Sequence, residues 1–244
     1  MVAQNLAPAH YLRPGLASLA DPRHKAAMPG PVLLSDIGNV LTFFDFSVAA
    51  QRVSERCPFP PEALSERLDD IKGPFENGDM DDNTFVRAAI QALQFEGTPA
   101  DFEAIWCDIF TENEAMKRTL APLAGKVPMK LLSNTSGLHK DYLLRTYDIF
   151  RPFSGGVYSY SAKCSKPGEE IFQVTIRELG LDPAQTFYID DLEANITTAR
   201  RLGFQTHLYH PSAHALLEAE LNAWAAQHGL AAGHPPVDAR ISLP

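Results

Sequence analysis

Five short apolar runs, each leading toward a helical pattern, restrict the possible folds of this chain more than any other feature. They are Pro31–Ser35, Met129–Leu132, Gly156–Tyr160, Thr186–Ile189 and Gln205–Tyr209, each four or five residues long. Short apolar strands separated by helices indicate parallel βαβ units covered on both faces. The expected fold is therefore α/β, with a Rossmann-like, doubly wound parallel sheet. The intervening helices have clear ends. Glu169–Leu179 places Ile171, Val174, Thr175 and Leu179 near one face and stops at Gly180, and Leu192–Leu202 repeats the pattern before Gly203.

One stretch interrupts the alternation. Between the first and second apolar runs, residues 48–118 read almost purely as helix, with turn signals near Pro58-Phe-Pro60, Glu76-Asn-Gly-Asp79 and Gly97-Thr-Pro99. This is expected to be a small helical cap inserted into the sheet domain. The expected division is a flexible arm over 1–30, a core over 31–47 and 119–228, the cap over 48–118 and a tail over 229–244. The arm has no uninterrupted apolar stretch of the kind a secretory signal needs.

Composition excludes some partners. With 21 basic and 30 acidic side chains the formal charge is −9, which argues against nucleic acid, whose backbone requires clustered Lys and Arg. No apolar run approaches the roughly 20 residues that cross a bilayer. Cys57, Cys107 and Cys164 are too scattered for a disulfide framework or a zinc site and are expected to be inert thiols, which fits a cytoplasmic setting. The eight histidines show no metal-ligand spacing. The glycine fingerprint of dinucleotide-binding folds, the Walker loop and the G-x-S-x-G elbow are absent.

In an open parallel sheet, ligands bind outside the carboxyl ends of the strands, so the residues after each apolar run are the candidates. These are Asp36-Ile-Gly-Asn-Val40, Ser133-Asn134-Thr135, Lys166 before Pro167, and Asp190-Asp191. Together they suit a phosphate ester. A carboxylate can attack phosphorus in line and form an aspartyl-phosphate, dividing a difficult hydrolysis into two easier steps. Attack by an anion on an anion needs countercharge, and Mg²⁺ on one or two carboxylates supplies it. A lysine and backbone amides can hold the remaining phosphoryl oxygens.

The four segments, in this order, resemble the four motifs of the haloacid dehalogenase superfamily over roughly Pro31 to Tyr209, with the helical insert where that family carries its small four-helix cap. Asp-x-Gly-Asn-Val with Ser-Asn-Thr and Asp-Asp most resembles the branch containing α-glucose-1-phosphate phosphatase, and the phosphatase domain of soluble epoxide hydrolase is similar. The resemblance implies an Mg²⁺-dependent phosphatase acting on a small phosphorylated metabolite such as a sugar phosphate. It implies Asp36 as nucleophile and metal ligand, with the Gly38 carbonyl as a second ligand. Asp191 is then the metal-binding acid of the fourth motif, and Asp190 stands beside it in the metal's inner or outer sphere. Ser133 and the Asn134 amide bind phosphoryl oxygens, with Thr135 beside them; Lys166 neutralises charge, and Asn195 orders the loop. Most phosphatases of the superfamily carry a second Asp two residues after the nucleophile as general acid; here that position is Gly38. Dehalogenation of 2-haloacids and a weakly active binding role are the competing expectations.

Asp45, between Phe44 and Phe46, is the candidate replacement acid. Desolvation by its neighbours would favour the protonated form, while the plainer reading makes it an ordinary hairpin residue or one leading into the cap, hydrogen-bonded to the substrate. Trp106 and Phe110 are expected in the core of the cap.

Overall fold

A computed structural model describes residues 30–230. A five-stranded parallel sheet forms from β1 (Val32–Ser35), β4 (Met129–Ser133), β5 (Phe153–Tyr158), β6 (Thr186–Asp190) and β7 (Gln205–Leu208), in the order β5-β4-β1-β6-β7. The chain winds outward from β1 in one direction and then returns to wind in the other, so strand order reverses at β1 and β6. Ligands of such sheets gather at that switch point.

The alternation of side chains along each strand explains the layers. Leu33, Leu131, Phe187 and Ile189 face one side, packing with Met116, Leu217 and Trp224. Leu34, Leu132 and Tyr188 face the other, against Ile171, Phe172 and Ile196. These partners come from α5 (Glu114–Leu120) and α10 (His214–Gln227) on the first face, and α8 (Glu169–Leu179) and α9 (Glu193–Arg201) on the second. Both faces are covered, which is why the strands read as unbroken apolar runs.

The insert has its own core. Helices α1 (Phe46–Ser54), α2 (Pro61–Glu76), α3 (Asp82–Leu93) and α4 (Pro99–Cys107) bury Val53, Phe75, Phe85, Leu93, Phe102 and Trp106 together, with Phe75 stacked on Phe85 at 3.8 Å between ring centroids. Their starts are chemically marked. Asp81 accepts from the Thr84 amide at 2.9 Å, and Thr98 with Asp101 closes a capping box; such caps contribute about 1 kcal/mol each.

The insert differs from the expected all-helical segment over 48–118. It begins and ends in a two-stranded antiparallel ribbon, β2 (Thr42–Phe44) and β3 (Phe110–Glu112), with Phe44 opposite Phe110. Helix α5, at the end of that segment, belongs to the sheet domain, because Met116 and Leu120 are buried in its core. The expected strand ending at Tyr160 stops at Tyr158, where Ser159–Ala162 turns into a short helix, α7. Helix α6 (Gly137–Thr146) follows β4. The expected arm and tail lie outside the described residues, apart from Gly30, Gly229 and Leu230, the last of which packs on the sheet core.

Candidate active site

Asp36 leaves the end of β1 buried, and its backbone amide bonds the Ile189 carbonyl of β6 at 2.9 Å. This fixes the first carboxylate against the strand that carries the others. Lys166 reaches the same point from the loop after α7, with its side chain only 2% exposed. Its ammonium lies 2.9 Å from Asp36 Oδ1 and 2.7 Å from Asp190 Oδ2, and donates to the Leu132 carbonyl at 3.0 Å. All three donors of the ammonium are therefore matched. Burial alone would lower the lysine pKa, but Asp36 and Asp190 more than reverse this and raise it, so the side chain stays charged.

The carboxylates play unequal parts. Oδ1 of Asp36 accepts from Lys166 and from the Ile37 amide at 2.7 Å, while its Oδ2 accepts no hydrogen bond among the described residues. Burial, partly countered by Lys166, pushes the Asp36 pKa up to about 6; a divalent cation alongside would favour the ionised form. Asp190 is saturated. Its Oδ1 accepts from the Leu192 amide at 2.9 Å and Asn195 Nδ2 at 2.8 Å, and its Oδ2 accepts from Lys166 and, in a very short hydrogen bond, from the Tyr188 hydroxyl. Asp190, expected beside the metal in its inner or outer sphere, thus also directs its lone pairs at Lys166 and the turn into α9. Asp191 is half-buried with a pKa raised chiefly by burial, and Oδ2 accepts from Asn39 Nδ2 at 3.0 Å. Asn39 sits in the left-handed region at φ 54°, which Asn tolerates better than most residues.

Oxygen atoms of Asp36, Asp190 and Asp191 lie within 4.8 Å of one another. An all-oxygen donor set suits a small hard cation. With Asp190 occupied, Asp36 Oδ2 and Asp191 are the side-chain groups that would hold it.

The second motif closes the site from β4. Ser133 is buried, and its hydroxyl makes no hydrogen bond to a described residue. The Asn134 side chain clamps the Lys166 backbone, donating to its carbonyl at 2.8 Å and accepting from its amide at 2.9 Å. The Asn134 backbone amide is the group expected to meet a ligand. The Thr135 amide is taken by Ser159 Oγ at 3.0 Å, and the same hydroxyl donates to the Glu76 carbonyl of the cap at 3.1 Å.

Gly38, Ser133, Asn134 and Thr135 open into a cavity of about 210 Å³ beneath the cap. Trp106 and Phe110, expected as cap core, both line it, as do Glu76 and His139. His139 is held by the Trp106 carbonyl at 3.2 Å from Nε2, and burial drives its pKa down to about 4, so the ring is neutral at pH 7. Asp45 does not line this cavity. It caps α1, accepting from the Ser47 amide at 2.9 Å. Its carboxyl is exposed, and hydrogen bonds from Ser47 hold its pKa below the ordinary value. The desolvated-acid reading of Asp45 is therefore corrected: the flanking phenylalanines do not enclose it. Burial raises the thiol pKa of Cys107 to about 12 and raises that of Cys164, so both stay protonated at neutral pH.

A parallel sheet with a buried Asp–Lys–Asp group at its switch point and a helical module inserted after its first strand defines a capped Rossmann-like α/β protein with a charged site at its strand ends. A family model of haloacid dehalogenase-like hydrolases matches residues 32–203, and the chain belongs to that family. Among solved structures, a haloacid dehalogenase family enzyme from Bacteroides thetaiotaomicron in a magnesium complex is 26% identical, with TM-score 0.66, over 76% of this chain and 98% of its own. The same enzyme with magnesium and inorganic phosphate gives 25% and 0.65 over the same shares. L-2-haloacid dehalogenase from Xanthobacter autotrophicus, with chloropropionic acid covalently bound, is 16% identical with TM-score 0.53, over 81% of this chain and 87% of its own; it shares the fold. No helix among the described residues is long and apolar enough to cross a membrane.

Proposed function

We propose that this hydrolase is an Mg²⁺-dependent phosphatase that cleaves a small phosphate monoester through an aspartyl-phosphate on Asp36. The observation that carries the reading is the divided role of the Asp36 carboxylate. Oδ1 is pinned by Lys166 and the Ile37 amide, and the carboxylate stands beside Asp191. Bound Mg²⁺ would supply charge neutralisation between the carboxylates and the phosphoryl group. Asp36 attacks phosphorus, Lys166 offsets the charge gathering on the equatorial oxygens, and Ser133 with the Asn134 amide orients them. The magnesium- and phosphate-bound relative supports this assignment.

The apolar cavity favours a second reading, 2-haloacid dehalogenation, in which the same aspartate displaces halide. One set of assays separates them. For the phosphatase, p-nitrophenyl phosphate is turned over with Mg²⁺ and not with EDTA, Asp36→Asn falls to background with the fold intact, and beryllium fluoride binds at Asp36. Halide release from 2-chloropropionate that ignores EDTA would establish dehalogenation instead. If neither substrate reacts, the chain is a binding member of the family.

A further inference from the structure

The cavity bears on what is esterified to the phosphate, given the phosphatase reading. Its mouth is the phosphoryl-binding loop of Gly38 and Ser133–Thr135, so whatever is joined to the phosphate must occupy the rest. The walls are aromatic. Phe46, Phe75 and Trp106 come from the cap, Phe44 and Phe110 from the ribbon, and Leu143 from α6. Phe44 and Phe46 are 40% and 36% exposed, at an edge-on 5.7 Å from each other. Open aromatic rings beside a binding loop gain from being covered by another ring.

A sugar fits these walls poorly. Each hydroxyl leaving water needs a partner, and an unmet one costs about 1–3 kcal/mol. Among the lining side chains from cap, ribbon and α6, the polar groups are Glu76, His139, whose Nε2 is already engaged by the Trp106 carbonyl, and the Trp106 indole N–H, which has no partner among the described residues, too few for the several hydroxyls of a sugar. The volume suits one ring, since a cavity of about 150 Å³ holds benzene and this one is about 210 Å³.

A second, independent observation concerns the leaving group. The position of the usual general acid is Gly38, and a Cβ there would stand 3.0 Å from Cε1 of Phe44. The ring fills the space an acid would use. Asp45 is engaged with Ser47 and does not line the cavity. An alkoxide leaving without a proton donor is slow, whereas a phenolate, with a conjugate acid near pKa ~10, departs unaided.

We infer that the substrate is an aryl phosphate, the phosphate monoester of a small phenolic alcohol. Asp36 forms a bond to phosphorus as the aryl C–O–P linkage breaks at P–O, and that electron pair leaves on the phenolate, which takes its proton from water. Water then attacks phosphorus, the Asp36–phosphorus bond breaks, the carboxylate is restored, and the water's protons remain on the released phosphate and solvent.

Aryl phosphates are intrinsically more reactive, so the test uses inhibitors without a leaving group as well as substrates. The purified chain with saturating Mg²⁺ is assayed on phenyl phosphate, glucose 1-phosphate and glucose 6-phosphate, and inhibition constants are measured for phenylphosphonate and methylphosphonate. Phenylphosphonate is expected to bind about tenfold or more tightly than methylphosphonate, and Phe46→Ser, at an exposed position, to remove the difference. Phenyl phosphate should exceed both sugar phosphates in kcat/KM. Equal inhibition by the two phosphonates, or sugar phosphates preferred over phenyl phosphate, overturns the aryl assignment and leaves the phosphatase reading standing. Failure of all three esters and both phosphonates removes the phosphatase reading and this inference together.

Discussion

Lys166 and Gly38 show how single residues set the chemistry of this site. Lys166 gives its three protons to Asp36, Asp190 and the Leu132 carbonyl, so its charge is fixed in place before substrate arrives, as preorganised catalysis requires. Gly38 is not forced by backbone conformation, since it lies outside the left-handed region. What faces it is the Phe44 ring, half-exposed and able to turn aside. Gly38→Asp should therefore fold and should speed alkyl phosphates by about 10²-fold, within the range of general acid catalysis, while changing phenyl phosphate little; equal effects on both esters would show that the new carboxyl does not protonate the leaving group. Asp191 offers a separate check on the cation. At tenfold excess over its Kd, Mg²⁺ should stabilise the wild type by about 1.4 kcal/mol, or about 3–5 °C in Tm, and Asp191→Asn should lose that increment in a thermal melt. The strand-end residues were legible because each follows an apolar run and their order resembles a known set of motifs. The saturation of Asp190 was not, because Tyr188 becomes its donor only once β6 is extended, and Asn195 only once the chain turns into α9.

At the scale of elements, helix α6 links the Ser133–Thr135 loop to the cap through His139. The ring stacks on Trp106 of α4 at 6.0 Å, meets Phe110 of β3 edge-on at 5.1 Å, and holds the Trp106 carbonyl. Its pKa is depressed from 6.5 to about 4 by burial, so the unfolded chain binds the extra proton between those values. Stability from this group is complete above pH 6.5 and is lost as pH falls toward 4. At about 1.36 kcal/mol per pKa unit, the loss is about 3 kcal/mol. Urea unfolding of the wild type should weaken over that window by about this much more than His139→Phe does; identical pH slopes would mean that the ring takes up its proton as readily in the folded state as in the unfolded one. The β2–β3 ribbon that carries Phe110 had no signature in the sequence. Thr42-Phe-Phe44 and Phe110-Thr-Glu112 are three-residue runs whose pairing spans the whole cap, and period-2 patterns need longer runs to be read. The cavity walls were hidden for the same reason: they converge from β2, α1, α2, α4, β3 and α6, and no local window contains them. The helix starts, by contrast, are local chemistry. Asp45 caps α1 through the Ser47 amide, a contact made within three residues of chain.

At the scale of the whole molecule, a chain of net charge −9 would, on the proposed reading, receive a dianionic ester. The two facts concern different distances. Long-range repulsion acts on the approaching substrate through solvent, where it reaches about 30 Å at 0.01 M salt and about 10 Å at 0.1 M. The attraction acts within the site, from Lys166 with its side chain 2% exposed, the backbone amides and the proposed cation, where salt hardly penetrates. Added salt should therefore remove the repulsion and leave the attraction. With Mg²⁺ held saturating, kcat/KM for a phosphate ester should rise about two- to fivefold between roughly 10 and 150 mM monovalent salt, through KM, with kcat unchanged. The same titration on Lys166→Met would report only background turnover, so the control is inhibition by inorganic phosphate, whose apparent Ki should tighten with salt in the wild type. A fall in kcat/KM with salt would mean that positive charge around the cavity mouth, rather than the net charge, governs the approach of substrate.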